Sequence, residues 1–411
     1  MSQQWIDRSG TLLLSLLVAA SLVGCGGSSS SSSSSTAGAG PDLDAPQGLQ
    51  AAAGDESVDI RWAGVEDATA YNLYYATGEG IDIDNPGLGD GEVIQGINGP
   101  YLLTGLENQK DYYFVVTATA GNSESPPSDE ASARPAKGVA GREIDIETAT
   151  LAAGSYQRLI RACTDDDAVV VYGGAFVTPF EFVAEPELRI QQSGPNAAGD
   201  NWIVGVSNAS TESKEVIGFA ICIQPPEEYE IVANDMTLPA GGWAQDTASC
   251  PGSEQVVLGG GASALGIGGS EPQTRVQVTE PAGWSATLGQ YTSWRVGMTS
   301  QAGSSVDVRV RAICALPPRG MERVGGSISQ LESGEYVAGN AYCSDWDKVA
   351  LGGTLGRPTG TVADEAGTEL QQTFPRNGPN GLGGWTIGSS SVSATTLNNL
   401  RLLVACVGEA P

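Results

Sequence analysis

Val306-Asp307-Val308-Arg309-Val310-Arg311-Ala312-Ile313-Cys314 alternates apolar and charged residues with a period of two, as a β-strand does when one of its faces is buried. Val306, Val308, Val310, Ala312 and Cys314 share one side, so the cysteine ends a core-facing strand. Working outward, Cys314 stands 20 residues beyond Trp294, the first residue of the tetrapeptide Trp294-Arg295-Val296-Gly297. The same arrangement recurs with Trp202-Ile203-Val204-Gly205 before Cys222, and with Trp385-Thr386-Ile387-Gly388 before Cys406.

Upstream anchors repeat as well. The quartets Leu151, Gly154, Tyr156, Cys163, then Leu238, Gly241, Trp243, Cys250, then Leu331, Gly334, Tyr336, Cys343 have identical internal offsets. A glycine pair follows each of these cysteines nine or ten residues on: Gly173-Gly174, Gly259-Gly260 and Gly352-Gly353. In strands such pairs mark bulges or close backbone approach. Residues 143–229, 230–321 and 322–411 are therefore three copies of one β unit. The repetition singles out the pairings Cys163 with Cys222, Cys250 with Cys314 and Cys343 with Cys406 as the simplest of the 15 that six cysteines allow. Two arrangements stay open: three tandem stapled sandwiches, taken first, or one pseudo-threefold assembly of the β-prism kind. The units broadly resemble cysteine-bracketed, glycine- and tryptophan-containing repeats of secreted bacterial proteins.

Ahead of a short linker at 136–142, residues 44–136 show short alternating strands separated by turns. Val58, Ile60 and Trp62 share a face, and Tyr71 to Tyr75 and Tyr112 to Ala118 follow the same pattern. With Pro46, Trp62, Leu106, Tyr112 and Ser125-Pro126-Pro127-Ser128, this segment resembles a fibronectin type III domain. That resemblance implies a seven-stranded sandwich used for spacing or protein binding, with Tyr112 as its tyrosine corner. The chain contains no Arg-Gly-Asp tripeptide.

The amino terminus carries a different signal. Thr11 to Leu22 is an apolar run of export-signal length, too short for a permanent span. Leu22-Val23-Gly24-Cys25 resembles the bacterial lipobox, which implies cleavage before Cys25 and diacylation of that residue, with palmitate-type chains that hold the protein to a membrane. Residues 26–43, including the serine run Ser28 to Ser35, form a disordered tether. Within the resemblance, Gly26 after the cysteine implies outer-membrane sorting, with the body facing the periplasm or the cell surface.

Composition narrows the chemistry. The 411 residues hold 48 acidic and 20 basic side chains and no histidine, for a formal net charge of −28. Nucleic acid and anionic lipid headgroups are thus excluded as partners, and so is any mechanism that uses histidine. Asp82, Asp84, Asn85, Asp90 and Glu92 form a glycine-rich acidic loop that could hold calcium. Its spacing departs from an EF-hand loop, which favours a solvated loop without metal. Asp165, Asp166 and Asp167 have the composition of a solvated turn, and the inward alternation of Trp202, Trp294 and Trp385 favours packing over sugar stacking. No catalytic site or cofactor emerges. The expectation is an all-β, non-enzymatic, envelope-anchored binding, adhesion or scaffold protein with an unidentified protein or glycan partner. The alternative is an accessory subunit or enzyme acting on extracellular polysaccharide.

Overall fold

Proline blocks strand pairing, and the first domain shows how its sequence works around that. In the computed structural model, which describes residues 42–87, 90–178, 188–267, 270–332, 335–345, 348–356, 368–377, 382–391 and 397–409, strand β6 (Tyr112–Ala120) lies between β3 (Ala70–Ala76) and β8 (Ala131–Ala133). Across Pro126 and Pro127, the hydroxyls of Ser125 and Ser128 accept the N–H groups of Ala118 (2.9 Å) and Val116 (3.1 Å). The β6 donors therefore stay satisfied where the ladder is broken. Two sheets close over Val58, Ile60, Leu73, Phe114 and Val116. One contains β1 (Gln50–Gly54), β2 (Ser57–Arg61) and β5 (Tyr101–Thr104); the other adds β4 (Glu92–Ile97) and β7 (Ser123–Glu124) to β3 and β6. The Tyr112 hydroxyl accepts a hydrogen bond from Glu107 N at 3.1 Å, the corner expected of it. Trp62 is half-buried at the margin of this core, edge-on to Tyr71.

Each repeat supplies six strands. Unit 1 contains β9 (Glu143–Leu151), β10 (Tyr156–Ala162), β11 (Val169–Thr178), β12 (Leu188–Pro195), β13 (Asn201–Asn208) and β14 (Lys214–Ile223). Unit 2 contains β15 (Glu230–Leu238), β16 (Trp243–Ser249), β17 (Val256–Ala264), β18 (Thr274–Ser285), β19 (Gln290–Ser300) and β20 (Val306–Ala315). Unit 3 contains β21 (Glu322–Leu331), β22 (Tyr336–Tyr342), β23 (Lys348–Gly356), β24 (Thr368–Asn377), β25 (Gly383–Ser391) and β26 (Leu397–Gly408). Within a unit the second, fifth and fourth strands form one sheet, and the third, sixth and first form another. Disulfides Cys163–Cys222, Cys250–Cys314 and Cys343–Cys406 tie the end of the second strand to the sixth, joining the two sheets of each unit.

The units, tandem in sequence, take the second of the two arrangements left open above. The sheet of unit 1 runs on into unit 2 as β10-β13-β12-β17-β20-β15, and that of unit 2 into unit 3 as β16-β19-β18-β23-β26-β21. The bridges that join them, Ser193 with Ala262 and Thr279 with Leu355, fall at equivalent positions. The third seam closes unit 3 onto unit 1, with the rings of Phe176 and Phe374 4.9 Å apart. All three units share one continuous core. The physical reason is that a six-stranded unit with both sheet faces apolar cannot cover itself, and neighbouring units supply the cover.

Side-chain latches follow the same cycle. Tyr229, the last residue of unit 1 and the one just before β15, donates to Val170 O at 3.0 Å where unit 2 begins, and Arg323 of unit 3 donates to Val257 O of unit 2. Arg142, at the entry to unit 1, donates from Nε (3.2 Å) and Nη2 (3.0 Å) to Ala350 O of unit 3. Val170, Val257 and Ala350 each stand just before a bulge in the third strand.

The bulges also settle how the glycines correspond. Immediately after them come Tyr172, Gly259 and Gly352, and one residue later Gly173, Gly260 and Gly353. The latter three make room for the tryptophans: an added Cβ would stand 2.4 Å from the Trp202 ring, 2.5 Å from Trp294 and 2.1 Å from Trp385. The former three meet near the pseudo-threefold axis, where Tyr172 alone carries a side chain. A Cβ on Gly352 would come 2.4 Å from the Tyr172 ring, and one on Gly259 2.0 Å from Val171 O. Because overpacking of this kind forces backbone shifts, Gly353→Ala is expected to cost about 1–3 kcal/mol of stability. Urea unfolding monitored by tryptophan fluorescence measures it, and a change below about 0.5 kcal/mol would contradict this packing.

Residues 136–142 are pinned to the assembly as well. Val139 is buried in the shared core and its N–H donates to Gly408 O at 3.0 Å, while Lys137 O accepts from Arg319 N and Ala140 O from Gln224 N. Gln109 of the first domain adds a bond to Pro317 O at 3.0 Å. The connection to the first domain is thus held by residues from the carboxy-terminal end of each unit.

Candidate functional site

The acidic loop of the first domain spends its oxygens locally. Asp82 accepts from Asp84 N (3.0 Å) and Asn85 Nδ2 (2.9 Å), Asp90 from Thr77, and Glu92 from the Tyr75 hydroxyl. Hydrogen bonds from Asn85 and the Asp84 backbone hold the Asp82 carboxyl below its usual range, and Thr77 does the same for Asp90. Among the described residues, no group of three or more cysteine or carboxylate side chains stands together as a metal site. Asp165 accepts from Asp167 N and from Gln224 Nε2, an exposed turn.

Trp202, Trp294 and Trp385 are fully buried. Their indole N–H groups donate to Ser193, Thr279 and Thr373, equivalent hydroxyls on the fourth strands. Buried in this way they hold the core and offer no face to a sugar. Cys25 and the serine run lie outside the described residues.

Sequence reasoning missed a polar cluster, with Arg275 and Glu369 buried and Arg189 partly exposed, where the fourth strands of the three units converge on the axis. It lies at the end of the assembly away from the fibronectin-like domain. Arg189, Arg275 and Glu369 occupy equivalent positions, with Glu369 3.5 Å from Arg189 and 3.8 Å from Arg275. Three like charges around one axis would repel; replacing one arginine with glutamate turns the ring into a bridge between two cations. Arg275 also donates to Thr274 O (2.7 Å) and Gln301 (3.1 Å). Burial pushes its guanidinium below the usual value, and Glu369 acts against that.

Two residues further along each strand, the bulge residues Gln191, Gln277 and Gln371 donate to Ser207 (2.9 Å), Thr299 (2.9 Å) and Ser390 (2.6 Å). Leu188-Arg189-Ile190-Gln191, Thr274-Arg275-Val276-Gln277 and Thr368-Glu369-Leu370-Gln371 share a charged residue, an aliphatic residue and glutamine. That recurring pattern was the available signal. Chemically, the cluster ties the fourth strands of the three units together through one carboxylate shared by two guanidinium groups.

The folded chain is thus an all-β, disulfide-bonded molecule with a fibronectin type III sandwich leading a closed three-unit β assembly. Residues 44–134 match the family of the Fibronectin type III domain. No curated protein matches the chain. Among solved structures, the chicken interferon gamma receptor alpha chain is similar at 11% identity, over 50% of this chain and 87% of that one, with a TM-score of 0.19. The FN1–FN3 domains of chicken CNTN1 are similar at 13% identity, over 68% of this chain and 97% of that one, also with a TM-score of 0.19.

Proposed function

We propose that the protein is an exported, lipid-anchored envelope protein that works as a rigid binding or spacing module without catalysis. The observation that carries this reading is the set of three disulfides, each inside one unit, that staple a shared core behind a fibronectin type III domain. Such bonds persist in oxidising compartments outside the cytosol. The lipobox-like Leu22-Val23-Gly24-Cys25 and the serine run supply the anchor and the reach, and Gly26 directs the protein to the outer membrane. The bonding of linker residues 137–140 to all three units supports a spacer that holds its far end at a fixed distance from the first domain.

The expected result with Cys25→Ser is release from the membrane fraction of a Gram-negative host, together with loss of labelled palmitate from the protein band. Equal membrane retention of the variant and the wild type would reject the anchor.

A further inference from the structure

The three seams are built from equivalent strands but not from equivalent side chains. Ahead of the buried tryptophan on the fifth strand, unit 1 has Asp200 and Asn201 and unit 2 has Thr292 and Ser293, whereas unit 3 has Gly383 and Gly384. At the first seam Tyr229 fills the neighbouring space, with its hydroxyl 2.7 Å from where a Cβ on Gly199 would stand. At the second, Arg323 is buried beside Tyr291. At the closing seam the two glycines are among the residues lining a pocket of about 470 Å3 between unit 3 and the start of unit 1.

The lining of this pocket has two characters. One side is aliphatic: Ile144, which is 38% exposed, with half-buried Val349 and Pro375. Ile146, 58% exposed, continues the same face of β9, where units 2 and 3 have Ala233 and Gly325. The other side is cationic, with Arg142, Lys348 and Arg376 gathered in a chain of net charge −28. Each cation is held in place. Arg142 is fixed by its two bonds to Ala350 O, Lys348 lies 3.0 Å from Glu322 and 3.5 Å from Asp345, and Arg376 donates to Asn340 at 3.3 Å. Arg142 Nη1 makes no hydrogen bond among the described residues. Glu409 is the one acid among the described residues that line the pocket.

Fixed donors beside an aliphatic wall suit a carboxylate attached next to a branched apolar side chain. We propose that this pocket captures the C-terminal carboxylate of a peptide ending in an aliphatic residue. Arg142 Nη1 donates to the carboxylate, Arg376 lines the same side, and the side chain packs on Ile144, Val349 and Pro375. The described lining is aliphatic rather than aromatic, which fits such a side chain better than it fits a stacked sugar ring. The proposal rests on the reading of the protein as a binding module and gives that reading a site.

The test uses the full chain and fluorescence anisotropy with fluorescein-labelled Gly-Ser-Gly-Ser-Val-Leu, as the free acid and as the C-terminal amide. Saturable binding of the acid is expected, with the amide weaker by about tenfold or more. Ile144→Glu, an exposed substitution that brings a carboxylate into the pocket, is expected to weaken the acid by about tenfold or more without moving the thermal midpoint. Ile160→Glu, exposed on a strand that does not line the pocket, is expected to bind as wild type does. Equal binding of acid and amide, no saturation by either peptide, or wild-type affinity in Ile144→Glu would overturn the proposal. Binding of trigalacturonate without binding of the peptide would overturn it too and move the assignment to an acidic glycan. Since Ile144→Glu leaves Cys25 intact, membrane fractionation reports separately on the anchor.

Discussion

Tyr172→Ala is expected to lower the free energy of unfolding by about 3–5 kcal/mol, the range for deleting a buried aromatic ring that neighbours cannot replace. Tyr172 is buried, stacks on Trp202 at 5.4 Å, meets Trp385 edge-on at 5.0 Å, and donates its hydroxyl to Gly353 O. Gly259 and Gly352 stand at the equivalent places and have no side chain to move into the space. Urea denaturation decides the matter, and a loss below about 1 kcal/mol would mean that the axis is not packed as described. The same ring makes stability sensitive to alkali. Burial pushes the Tyr172 hydroxyl above its usual range, so above about pH 10 the unfolded chain ionises there while the folded chain does not. The stabilisation is complete below that pH and declines as pH rises, by up to about 1.4 kcal/mol per pH unit from this one group. Tyr172→Phe should flatten that part of the decline.

Cys250→Ala with Cys314→Ala is expected to cost roughly 4 kcal/mol, the chain-entropy value for closing a loop of this size. The residues are 64 apart in sequence. Unit 2 sits between the two continuous sheets, so its loss of stability belongs to the whole carboxy-terminal assembly. The expected unfolding curve therefore shifts as one transition for all three units. A separate early transition for unit 2, with units 1 and 3 unfolding at the wild-type position, would show independent modules and contradict the shared core.

What could be read from the sequence follows the range of each signal. Period-two alternation and repeated cysteine spacing are local or self-referential, so strand character and the existence of three units were legible in Val306 to Cys314 and its counterparts. The arrangement of the units was not, because Ser193 against Ala262 and Thr279 against Leu355 are contacts between surfaces that no short pattern encodes. One clue lay in the spacing of the glycine pairs. A fixed offset of nine residues from Cys163, Cys250 and Cys343 falls on Tyr172, Gly259 and Gly352, so the irregular pair in unit 1 already marked the residue that fills the axis. The charged cluster escaped for a related reason. Arg189, Arg275 and Glu369 differ in sign, and their relation appears only once the fourth strands are brought together. Likewise the pocket at Gly383 and Gly384 is a difference between copies, which a search for what the copies share passes over.

The bond from Val139 to Gly408 brings the beginning of the first unit to the end of the last. Topologically, the carboxy-terminal assembly is a ring with a single nick, and the fibronectin domain is attached at that nick. The order of the units along the gene is then one of three cyclic orders that would preserve the same neighbours. What distinguishes the present order is where it puts the attachment: beside the latch of Arg142 on Ala350, behind residues 137–140 whose bonds to Arg319, Gly408 and Gln224 divide any pull from the first domain among all three units before it reaches that latch.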